Sequence, residues 1–113
     1  AHTSVPVFVW TDVDVWGIYI QDAVAGAARS AAGVFPVLME PSVLLKAATP
    51  QRLTDYHRSL LSHLPEGSRW YSLAQAMVDR NEWVEQEEFL SELSDARAVE
   101  RLLDHSTTGA YSA

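Results

Sequence analysis

Two carboxylates, Asp12 and Asp14, stand at the end of an apolar run over residues 5–10, with a single valine between them. Hard divalent cations take oxygen ligands, and paired carboxylates at a strand end can hold Mg²⁺ or Mn²⁺ for phosphoryl or glycosyl transfer. The same residues serve as solvated turn formers, because Asp hydrogen-bonds nearby backbone, and the turn is the stronger reading. His57 is the best candidate general base if it borders a cavity. Its helical partner His63 lies six residues on, which does not put two imidazoles on one face, and Asp55 falls on the opposite side. A half-buried, hydrogen-bonded histidine is therefore the expectation. Phe8, Trp10 and Tyr19 could form a stacking platform for a ligand, although a large exposed aromatic patch is a liability unless it is used.

In those two acids alone the chain resembles the start of the haloacid-dehalogenase-like phosphatases, which would imply a metal-assisted phosphoryl transfer centred on Asp12 and Asp14. Trp16 stands where that family carries a threonine. A calcium loop starting at Asp12 fits no better, since Trp16 and Ala23 would occupy ligand positions. There is no glycine-rich phosphate loop, no Gly-x-Ser-x-Gly turn, no His-Glu-x-x-His pair and no basic patch. No cysteine is present, so thiolate catalysis and cysteine-bound zinc are excluded, and Lys46 is the sole lysine for Schiff-base chemistry.

Charge is the other signal. The chain of 113 residues has a net charge of −7, and residues 79–104 hold nine acids against three bases. Glu82, Glu85, Glu87, Glu88, Glu92 and Asp95 surround Trp83 and Phe89. Most charge runs are solvated helix faces, but aromatics set among carboxylates also describe an anchor with a steering field. The sign disfavours nucleic acid as a partner, and no apolar run reaches the roughly 20 residues of a membrane helix. Residues 1–20 lack the basic-then-apolar pattern of a signal peptide, so a cytoplasmic protein is expected.

These residues must be positioned by a single domain of α+β class over 1–113. Val, Ile, Phe, Tyr and Trp dominate residues 5–10 and 15–20, which predicts a β-hairpin around a loop at 11–14. Val5, Val7, Val9, Trp16, Ile18 and Ile20 would form its core face. Asp22 suits the N-cap of a helix over 22–32, and residues 34–39 read as a third strand, parallel to the central strand 15–20. Pro6 and Pro36 suit edge strands. Thr49-Pro50 predicts the start of a helix reaching residue 64, and Ser68 caps another whose inner face carries Trp70, Leu73, Ala74 and Met77. Trp83, Gln86, Leu90 and Leu93 continue helically beyond Asn81. Ser94-Asp95 looks like a further cap, followed by Val99, Leu102 and Leu103, and 106–113 reads as a frayed tail.

The expectation for function is a non-enzymatic protein–protein interaction domain of inhibitor, immunity or adaptor type. It would need no cofactor and would set an acidic helical surface of Trp83, Glu85, Glu88, Phe89 and Glu92 against a basic protein. A homo-oligomer is compatible with this. The alternative is a small divalent-metal-dependent transferase built on Asp12 and Asp14.

Overall fold

Val7–Trp10 forms strand β1 and Val34–Val37 forms β2, and in the computed structural model, which describes residues 5–28 and 33–93, the two pair in parallel. The register sets Val7 opposite Val34 and Trp10 opposite Val37. Parallel neighbours need a crossover, and helix α1 (Val15–Ala27) supplies it. The protein is thus a mixed helix-and-strand chain with a small parallel sheet. Helices α2 (Pro41–Lys46), α3 (Asp55–Ser62) and α4 (Tyr71–Arg80) follow, with a short antiparallel ribbon of β3 (Gln51–Arg52) and β4 (Glu82–Trp83) and a 3-10 helix at Gln86–Leu93.

The expected hairpin is corrected by α1. Residues 15–20 are helical, so the sheet has two strands rather than three among the described residues. Asp14 explains the start. Its extended backbone (φ −147°, ψ 179°) and its Oδ1, accepting from Gly17 N at 2.6 Å, make it a good N-cap. Burial explains the rest. Val15, Ile18 and Gln21 are buried while Trp16, Tyr19 and Ile20 face solvent, a helical stripe and not an alternation. Each β-branched residue costs a helix only a few tenths of a kcal/mol, less than the burial of one such side chain returns. Ile18 is core on this helix, whereas Trp16 is 42% exposed.

Close approach seats α1 on β1. A Cβ on Gly17 would lie 1.9 Å from the carbonyl oxygen of Asp12, so only glycine fits there. Buried Gln21 reaches back, its Nε2 donating to Val9 O at 2.9 Å and to Thr11 Oγ1 at 3.3 Å. Its Oε1 is the buried side-chain polar atom among the described residues that lacks a partner. Gly33 adopts φ 103°, a left-handed conformation, and its carbonyl accepts from Val7 N at 3.0 Å to open β2. Asp22 is no helix cap; its Oδ1 accepts from the indole nitrogen of buried Trp70 at 2.8 Å.

Beyond β2 the caps fall at unexpected places. Thr54 caps α3, its hydroxyl accepting from His57 N at 3.2 Å, while Thr49-Pro50 leads into β3. Asn81 ends α4 in the left-handed region (φ 56°), which Asn tolerates. Leu73, Ala74 and Met77 of α4 meet Ile18, Val43, Leu44, Leu61, Trp70, Val84 and Phe89 in one core. The readings at Ser94-Asp95, Val99, Leu102 and Leu103, the tail 106–113 and the last turn of the helix expected at 22–32 lie outside the described residues.

Candidate functional site

The C-terminal end of β1 is the busiest corner of the described structure. After Trp10 the chain passes through Thr11, and Val13 makes an antiparallel bridge with Val84, donating its N–H at 2.8 Å and accepting at 3.1 Å. Asp12 stands beside that bridge and its Oδ1 accepts from Gln86 N at 2.7 Å. Asp14 caps α1 one residue beyond. Each carboxylate therefore spends an oxygen on a backbone N–H, one tying the 3-10 helix and the other starting α1. Burial pushes the Asp14 carboxyl above its ordinary value; the Gly17 N–H opposes the shift, the Asp12 charge adds to it and His57 works against it. Among the described residues no three His, Cys, Asp or Glu side chains gather as they would around a metal ion.

Beside Asp14 lies an aromatic group drawn from two helices. Trp16 sits at its centre, with Tyr19 at 5.6 Å between ring centroids, Tyr56 at 6.3 Å and His57 at 5.6 Å. The Trp16 indole N–H donates to His57 Nε2 at 3.0 Å. His57 is thus a half-buried histidine satisfied by a tryptophan, and this bond joins α3 to α1.

The stacking platform expected of Phe8, Trp10 and Tyr19 is dismantled by the same helix. Phe8 stacks on Phe35 across the parallel pair, with centroids 5.4 Å apart. Trp10 packs half-buried against the core. Tyr19 faces solvent from α1 and pairs with Trp16 instead. No hairpin face unites the three.

The acidic segment is divided by its own bonds. Glu82 pairs with Arg80 at 3.1 Å. Glu88 Oε1 accepts from Thr49 N at 2.8 Å and also from the Thr49 hydroxyl. Those bonds, the hydroxyl foremost, hold its carboxyl below the ordinary range. Phe89 is 3% exposed and belongs to the core, so it cannot serve as a surface anchor. Trp83 is half-buried against the same core. Glu85 and Glu87 face solvent, and the Glu92 side chain lies outside the described residues.

Trp16 and Tyr56 escaped the reading of the residues. The signal was present in the spacing of Trp16, Tyr19 and Ile20 behind a capping Asp14, which places three large side chains on one helical face. Neither a protein-family model nor a curated protein matches this chain.

Proposed function

We propose that this chain is a non-enzymatic protein–protein interaction domain that sets an acidic surface against a basic partner, in the manner of an inhibitor, an immunity factor or an adaptor. The observation that carries this reading is the stitching of two acidic segments. The Val13–Val84 bridge and the Gln86–Asp12 hydrogen bond draw Glu85 and Glu87 to the turn that bears Asp12 and Asp14. The backbone that carries Glu85 and Glu87, both exposed, is thereby tied beside the turn of Asp12 and Asp14, in a chain already at −7. Like charges gathered in this way cost stability unless an oppositely charged surface answers them, and they speed its approach.

Asp12 and Asp14 lend themselves less to the alternative, a divalent-metal-dependent phosphoryl- or glycosyl-transfer enzyme, because both already act as backbone caps. The test is affinity capture from native lysate at low and high salt with the wild-type chain and with Glu85→Lys/Glu87→Lys. Both residues are exposed, so the double variant should fold. A partner held by the wild type at low salt, and lost on charge reversal or at high salt, is the expected result. Recovery of the same proteins by both chains at both salts would remove the acidic corner from the interface.

A further inference from the structure

We propose that the face shared by α1 and α3, centred on Trp16, is a docking surface for arginine side chains of a protein partner. The inference rests on the reading of a basic partner and adds where, and by which side chains, that partner is gripped. Four large side chains stand out of the fold here: Trp16 is 42% exposed, Tyr19 40%, Ile20 50% and Tyr56 62%. Scattered apolar residues need no explanation, but adjoining aromatics at 5.6 and 6.3 Å from one central indole form a patch.

Preorganisation and charge point to the occupant. The hydrogen bond from Trp16 Nε1 to His57 Nε2 at 3.0 Å engages the indole by its edge and holds it while the ring stays exposed. A rigid aromatic loses little freedom when a ligand arrives. A carboxylate borders the patch: Asp14 stands two residues before Trp16, in electrostatic contact with both Asp12 and His57. Arg58, the cation on the same helix, has its guanidinium turned to Asn81 Oδ1 at 3.0 Å. Aromatic faces with a carboxylate beside them favour a flat cation. A guanidinium stacks on indole and phenol rings and forks onto carboxylates, whereas an ammonium is more tightly hydrated.

The probe is a tri-arginine peptide titrated into the ¹⁵N-labelled full chain, with tri-lysine and tri-glutamate peptides alongside. The Trp16 indole resonance is identified by its loss in Trp16→Phe. Expected are a shift of that resonance with tri-arginine, no shift with tri-glutamate, and binding of tri-arginine about two- to fivefold tighter than of tri-lysine, the worth of one exposed cation–π contact. Trp16→Ala and, separately, Tyr56→Ala should each weaken tri-arginine by a similar factor. Tyr56 is the more exposed, so loss of fold does not account for its effect. Tri-arginine shifts confined to Glu85 and Glu87, unchanged in Trp16→Ala, would overturn the aromatic site while leaving the acidic reading intact. Absence of any shift would overturn both. Concentration-dependent self-association of the wild type, abolished by Trp16→Ala, would assign the face to a second copy of this chain and overturn the proposal.

Discussion

Two glycines in one helix should respond to alanine with opposite signs. Gly17 and Gly26 both lie in α1, where a glycine normally costs about 0.5–1 kcal/mol relative to alanine. At Gly26 nothing lies within 4 Å of an added Cβ, so Gly26→Ala should stabilise by up to that amount, less near the helix end. At Gly17 the added carbon would sit 1.9 Å from Asp12 O and 2.9 Å from Thr11 Oγ1. Backbone cannot yield cheaply, so the helix start must lift off the Thr11–Asp12 turn. That movement stretches the Asp14 cap, worth about 1 kcal/mol, and loosens the packing of Ile18 and Gln21. Overpacking of this kind costs about 1–3 kcal/mol, which exceeds the propensity gain, and the net loss should be about 1–3 kcal/mol. Urea unfolding followed by tryptophan fluorescence reads this directly. At an m-value near 2 kcal/mol/M, a loss of about 2 kcal/mol lowers the midpoint by about 1 M. A Gly17→Ala midpoint at or above wild type would mean that α1 does not approach Asp12 this closely, and the seating of the whole corner would be wrong.

Ile18→Ala should cost about 2–5 kcal/mol in the same assay, and Trp16→Ala about 1 kcal/mol or less, because one residue is buried and the other half in solvent. Equal losses would contradict the helical face assigned to 15–20. Because the Asp14 carboxyl is raised, the native state keeps a proton that the unfolded chain gives up first. Stability should therefore fall as pH rises from the ordinary Asp range through the folded value, and Asp14→Asn, which keeps a capping oxygen, should flatten that slope in melts at stepped pH. Glu88, held low, acts in the other direction, its contribution being lost as pH falls, so a slope unchanged in Asp14→Asn would exclude Asp14 as its source. Thermal melts with Mg²⁺, Mn²⁺ or Ca²⁺ should show no rise in midpoint; a bound ion at a hundredfold excess over Kd would add about 2.7 kcal/mol. A rise abolished by Asp12→Asn/Asp14→Asn would reverse the ranking of the two functions.

Much of the C-terminal half was legible. The stripe of Leu73, Ala74 and Met77 repeats at helical spacing, and nothing local competes with it. The strand 34–37 and its parallel partner were legible as strands from residue type. The segment 15–20 was not, because its β-branched residues favour a strand locally while its burial favours a helix, and burial is decided by a core that includes Leu61 and Trp70 from elsewhere in the chain. Thr49-Pro50 misled for a similar reason: Glu88, thirty-nine residues away, takes the Thr49 hydroxyl and amide that a helix start would have used. Within the site, His57 was visible as a hydrogen-bonded histidine from its place on α3. Its partner was not, since Trp16 becomes an exposed donor only once α1 is a helix.

The Val13–Val84 bridge joins points about seventy residues apart, and that separation bears on the order of events. Closing such a loop costs about 4 kcal/mol of chain entropy, whereas the α3–α4 pair is nearly contiguous and closes early. The corner where the segments of Asp12–Asp14 and Glu85–Glu87 are tied together is then a late product of folding. Shortening Val84 to Ala should accelerate unfolding in stopped-flow experiments while leaving the refolding rate almost unchanged. A slowed refolding limb would place the bridge in the nucleus. Formed late, the corner bears on the lifetime of the native state: until the bridge closes, Val13 and Val84 have not joined the core and the acidic segments are not yet side by side to offer a partner.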